Sequence, residues 1–171
     1  MENQNLKFEF VFLGQSVLKY QVPSDIFESI NNIYEQNFHN LAPANQQLVG
    51  KIENEHSLFY HGEDQTKMEN HNMLPRNVTD YFMQVFNHYL SFNKIKEYKT
   101  HLNSIWVNEM KQHEYNPTHI HRGMLFTGLS SVMILKVPST YGKEYSAEHI
   151  QQNGRLQILG AANGQFAKID Y

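Results

Sequence analysis

The character of the hydrophobic pattern changes near Lys99, and that change restricts the fold class more than any other feature. Before it, the two longest patterned stretches carry apolar residues at helical spacing. After it, they fall in short alternating runs broken by Gly, Pro, Asn and Ser. Helices first and antiparallel-type strands later read as an α+β fold.

The N-terminal stretch alternates, with Leu6, Phe8, Phe10 and Phe12 on one face and Lys7 and Glu9 on the other, as in a half-buried strand. Val17 to Val22 reads as a second extended run, which Pro23 stops. Asp25 and Glu28 resemble a capping box, and Ile26, Phe27, Ile30, Ile33 and Tyr34 then predict an amphipathic helix over 25–38. Residues 39–76 are polar and irregular, with a short helix suggested near Gln46–Ile52. Asn77 is placed to cap a second helix that carries Val78, Phe82, Val85 and Tyr89 and ends near Asn93. Strand-like runs follow at Ser104–Asn108, roughly His119–His121, Leu129–Val137 and Leu156–Leu159. In the third of these, Ser131, Met133, Leu135 and Val137 share one face, and Val132, Ile134 and Lys136 the other. No internal repeat or linker interrupts the chain, so 1–171 reads as a single domain.

Composition narrows the chemistry. The 171 residues contain no cysteine, which removes disulfides, thiolate metal sites and cysteine nucleophiles, but they contain ten histidines. A bound metal would therefore take imidazole and carboxylate ligands, suiting iron, manganese, nickel or a catalytic zinc. A net charge of −3 lacks the basic footprint of a nucleic-acid binder. No apolar run approaches the roughly 18 residues of a membrane span, and the first residues lack a signal peptide's apolar segment. A soluble, cytoplasmic protein is the expectation.

The segment able to carry chemistry is Trp106-Val107-Asn108 followed by Asn116-Pro117-Thr118-His119-Ile120-His121. Along a strand, residues two apart project from one face, so His119 and His121 could offer two imidazoles to one ion. Chance alone supplies roughly 0.6 His-x-His pairs in such a chain, so the spacing carries little without its context. Asn108 is a candidate to bond an acidic cosubstrate or to tie down a strand end. Ser130 and Ser131 suit a carboxylate contact or a crowded interior, and Lys136 suits a carboxylate or a snorkelling position. Trp106 reads as core. His56, His61 and His71 lie among Glu53, Glu55, Glu63, Asp64 and Glu69, in a region read as a lid or a solvated loop, with the loop favoured.

The run NPTHIH, preceded by IWVN and followed by LSSVMILKVP, resembles one bacterial and marine-phage branch of the 2-oxoglutarate- and iron(II)-dependent oxygenases. Trp106, Asn108, His119, His121, Ser130, Ser131 and Pro138 carry the resemblance, and NGRLQILG is similar to the family's next strand. The likeness covers about 100–165. It implies a double-stranded β-helix, or jelly roll, begun by residues 100–171, with residues 1–99 as a helical support packed outside. It also implies Fe(II) held by His119 and His121, with 2-oxoglutarate as cosubstrate near Asn108, Ser131 and Lys136. Oxidative decarboxylation to succinate would accompany hydroxylation of a small-molecule or peptide substrate. His121 stands where the wider superfamily usually has an aspartate or glutamate.

The family adds a last histidine and a nearby arginine or lysine from strands further downstream. Here the only later histidine is His149, in a polar stretch, Arg155 lies at a turn, and AKIDY reads like the opening of a further strand. A jelly roll incomplete at its C-terminus, through truncation, is therefore expected. Two other functions stay open: a catalytically incomplete jelly-roll binding or virion-associated domain, and a histidine-ligated zinc or nickel cupin. The cupin would draw a third imidazole from His149, His101 or His113. A homo-oligomer is compatible with all three.

Overall fold

Strand β4, Asn54–Tyr60, is the centre of the main sheet, although its sequence, NEHSLFY, places polar residues on both faces. In the computed structural model, residues 6–12, 16–45, 50–62, 68–119, 128–139, 154–162 and 165–170 are described. The chain divides into two compact units, one of residues 22–131 and one of residues 1–21 with 132–171. The fold is mixed α+β, with two helices and antiparallel sheets among the described residues.

In the larger unit, helix α1 spans Ser24–Asn37 and a 3-10 turn follows at Phe38–Asn40. The expected capping box is absent. Pro23 occupies the cap with its φ fixed at −58°, its carbonyl accepts from Phe27 N at 3.0 Å, and Asp25 is left to favour the positive end of the helix. Helix α2, Arg76–Phe92, is likewise preceded by Pro75, so Asn77 lies inside the first turn instead of capping it. The buried residues are Ile26 and Ile30 on α1, and Val78, Tyr81, Val85 and Leu90 on α2. Phe82 and Tyr89, expected in the α2 core, are half-buried.

Helix α2 ends in a reciprocal pair of bonds, Ile95 N to Leu90 O at 3.0 Å and Lys94 N to Ser91 O at 2.9 Å. This is the Schellman arrangement, and it puts Lys94 at φ 57°, the left-handed position usually given to glycine.

Strands β3 (Ala42–Pro43) and β5 (His71–Asn72) pair with one edge of β4, and β6 (Ser104–Glu109) pairs with the other. The expected β run at 104–108 is thus a strand. The region 39–76, expected to be irregular, instead supplies the sheet's central strand. Two physical features hid it. A bulge falls between Ser57 and Phe59, which turns both Ser57 and Leu58 inward and breaks the alternation. Glu55 and Ser57 are also buried, at 5% and 2% exposure, because neighbouring strands satisfy them. The helix suggested near 46–52 is not seen in its described part, where Lys51 forms a β-bridge with Tyr115.

One face of this sheet meets α1. The rings of Tyr34 and Phe38 lie 6.1 and 4.6 Å from His56, and Tyr34 Oη donates to Glu109 at 3.1 Å. The opposite face carries Glu55, Ser57, Trp106 and Asn108, by alternation along β4 and β6.

In the other unit, β1 (Phe8–Phe12) and β2 (Ser16–Tyr20) form an antiparallel pair, as the N-terminal alternation predicts. Phe8 and Phe10 are nevertheless 39% and 47% exposed. Strands β7 (Gln157–Ala162) and β8 (Gln165–Asp170) form a second pair, so the strand expected in the final residues is present. Leu129–Val137 joins no ladder among the described residues, contrary to the strand expected there. Its Val132, Ile134 and Val137 are each more than half exposed, because apolar alternation makes a strand only where a neighbouring edge pairs with it. No helix among the described residues is long and apolar enough to cross a membrane.

Candidate metal and cosubstrate site

The segment leading to His119 is anchored to the chain just before β4. Lys51 and Tyr115 exchange backbone bonds in both directions, N to O at 2.8 and 3.0 Å. The Glu114 carboxylate accepts from the backbone N–H of Glu53 at 2.9 Å and of Lys111 at 2.7 Å. These two bonds hold the Glu114 carboxyl below the usual carboxylate range. Lys111 also pairs with Glu53 at 3.3 Å. Gly50 permits the close approach: a Cβ there would lie 2.8 Å from Pro117 Cδ and 2.9 Å from Asn116 Cα. An open groove of about 560 Å³ runs beside this anchor, lined in part by Gly50, Lys51, Lys111 and Glu114.

Beyond the anchor the chain bends at Thr118 and reaches His119, the one described residue of the strand expected at 119–121. Proline lacks the N–H that a ladder needs, and the His119 side chain turns back on the segment. Its Nδ1 lies 2.7 Å from the Pro117 carbonyl oxygen. A carbonyl only accepts, so Nδ1 carries the hydrogen, and neutral His119 keeps its lone pair on Nε2. Metal-binding histidines use this arrangement: one ring nitrogen is fixed by a backbone oxygen and the other has the basicity to coordinate. The His119 side chain is exposed. His121 lies outside the described residues, as does His149.

A polar row crosses the sheet face opposite α1. Glu55 on β4 is directly opposite Asn108 on β6, and Ser57 is opposite Trp106. The Glu55 carboxyl accepts side-chain hydrogen bonds from Asn108 and Trp106. Burial outweighs these bonds and pushes the carboxyl above the usual carboxylate range. On the other side, Ser57 Oγ lies 2.9 Å from His71 Nε2, and His71 Nδ1 lies 2.9 Å from the Glu69 carbonyl. By the same reasoning His71 Nδ1 carries a hydrogen, and the Ser57 hydroxyl that meets Nε2 also lies 3.4 Å from the Phe59 carbonyl oxygen.

Several sequence expectations change here. Asn108 has an acid as its partner, but that acid is Glu55 of the protein itself. Trp106, expected in the core, is 38% exposed, because its indole lies on the polar face where its N–H reaches Glu55. Glu55 and His71, expected in a solvated loop, are ordered parts of the sheet. The sequence signal for Glu55 is weak, because Asn54 and His56 flank it and the apolar run begins only at Leu58.

Ser131 is exposed at the end of the larger unit, and Lys136 is exposed in the other. His101 is exposed and its Nε2 lies 2.9 Å from the His61 carbonyl, while His113 occupies a turn at φ 68°. Arg155 is exposed just before β7, at the expected turn. Among the described residues no three histidine or acidic side chains converge as a metal-binding group. Comparison with protein-family models, curated proteins and solved structures gave no match.

Proposed function

We propose that the chain is a 2-oxoglutarate- and Fe(II)-dependent oxygenase that hydroxylates a small molecule or peptide side chain, with a jelly roll as its full architecture. The observation that supports this reading is the His119 side chain, whose Nδ1 lies 2.7 Å from the Pro117 carbonyl oxygen, a backbone contact of the kind metal-binding histidines make. The quoted resemblance around IWVN and NPTHIH supplies the reaction class.

On this reading His119 and His121 hold the iron. Together with 2-oxoglutarate and dioxygen, the bound metal supplies the oxidising power for C–H hydroxylation. The protein's own part is placement. The Lys51–Tyr115 bridge and the Glu114 bonds hold the segment before His119, and the fixed tautomer removes a competing orientation of the ring. Asn108 and Ser131 offer neutral hydrogen bonds to an acidic cosubstrate.

Metal analysis of anaerobically loaded protein tests the assignment. Wild type retains iron, and His119→Ala loses it while keeping the wild-type circular dichroism. Equal iron retention by both proteins would remove His119 from the site. Zinc held at one equivalent, with no response to 2-oxoglutarate, would indicate a histidine-ligated cupin instead.

A further inference from the structure

Two histidines meet where the β4–β6 ladder ends, at the opposite end from the Lys51–Tyr115 anchor. His61 directly follows β4, and His101 lies three residues before β6. Both are exposed, with ring centroids 5.0 Å apart and planes inclined at 52°.

The backbone beneath the pair is tied down. Tyr60 stands opposite Ser104 in the last register of the ladder, and His61 N donates to Asn103 O at 2.7 Å just beyond it. The next N–H, of Gly62, is taken by the Asn70 side chain at 3.2 Å. His101 is fixed a second way, since its Nε2 lies 2.9 Å from the His61 carbonyl oxygen. A carbonyl only accepts, so Nε2 carries the hydrogen and the neutral ring keeps its lone pair on Nδ1. Metal-binding histidines make this kind of backbone contact. The His61 ring makes no hydrogen bond among the described residues.

The spacing suits one shared ion. Two imidazoles that each hold a metal at about 2.0–2.1 Å, at a right or tetrahedral angle, have centroids about 4.5–5 Å apart. We propose that His61 and His101 form a metal site of their own, a surface clasp that holds one divalent transition-metal ion and joins the end of β4 to the chain entering β6. Imidazole ligands suit zinc, copper and nickel. No third histidine or acid joins the pair among the described residues, so water fills the other positions and the ion exchanges readily. The ion binds the folded ladder and not the separated strands, so it stabilises the fold by mass action. This site does not depend on the iron reading of His119.

The test uses Zn(II) as the probe and the full chain carrying His119→Ala, which removes that histidine from the count. Equilibrium dialysis measures zinc uptake, and thermal melts measure its effect on stability. The His119→Ala chain takes up one equivalent and melts at a higher temperature with zinc, and a chelator reverses the rise. Adding His61→Ala leaves the zinc-free melt unchanged but weakens zinc binding about tenfold or more, because even an outer-shell partner of a metal ligand is worth about 10–100-fold. The zinc-dependent rise disappears with it, and His101→Ala removes it too. No zinc uptake by the His119→Ala chain overturns the proposal, as does equal uptake and an equal rise after His61→Ala. If the doubly substituted chains do not fold, wild type and His61→Ala decide: the variant binds one equivalent fewer, and the same stoichiometry in both overturns the site.

Discussion

His119 and Pro117 are joined by a 2.7 Å bond from the imidazole Nδ1 to the proline carbonyl oxygen, across a two-residue bend. The bond orients the His119 ring, and the backbone before the bend sets where that ring lies. The clearest predictions concern this supporting backbone.

Gly50 is the tightest point of the support. A methyl group there would press on Pro117 Cδ and Asn116 Cα at 2.8 and 2.9 Å, so the 115–117 segment must move. Gly50→Ala should cost about 1–3 kcal/mol, as overpacking does elsewhere. Urea denaturation measures the loss, and iron retention should fall with it. An unchanged midpoint would mean that the two segments separate freely.

Glu114 gives the support an acid limit. Its carboxyl titrates below the ordinary range in the folded chain, because the backbone N–H groups of Lys111 and Glu53 bind the charged form. A lowered folded pKa stabilises the fold above the unfolded value, and that stabilisation disappears as pH falls through the folded one. The expected window lies below the ordinary glutamate pKa. Thermal melts of wild type and Glu114→Gln should differ at neutral pH and converge as the acid end is approached. Parallel curves across that range would contradict the assignment.

Lys94 tests the end of α2. A lysine held at φ 57° bears a strain of about 1 kcal/mol that glycine does not. Lys94→Gly should therefore raise stability, read as a higher urea midpoint, even though glycine lowers helix propensity elsewhere. A lower midpoint would show that the side chain, and not the backbone, governs this position.

Both helices were legible in the sequence because each has an apolar stripe and a preceding proline, although the caps were misread. Pro23 and Pro75 took the positions assigned to Asp25 and Asn77. The first two strands, β6, β7 and the closing β8 were legible from alternation. Strand β4 was not, since the burial of Glu55 depends on donors from β6, fifty residues later in the chain, and the bulge around Leu58 breaks the period. Leu129–Val137 failed for the opposite reason: it has the pattern of a strand but no ladder among the described residues. At the site, His119 was legible only as half of a His-x-His pair, and it is the one described residue of the strand expected there.

The most direct test of the proposed activity is the conversion of 2-oxoglutarate to succinate by the iron-loaded full chain in the presence of dioxygen. The account predicts succinate formation that depends on added Fe(II) and is lost in His119→Ala. Iron bound by wild type with no succinate formed, or succinate formed equally by His119→Ala, would contradict it.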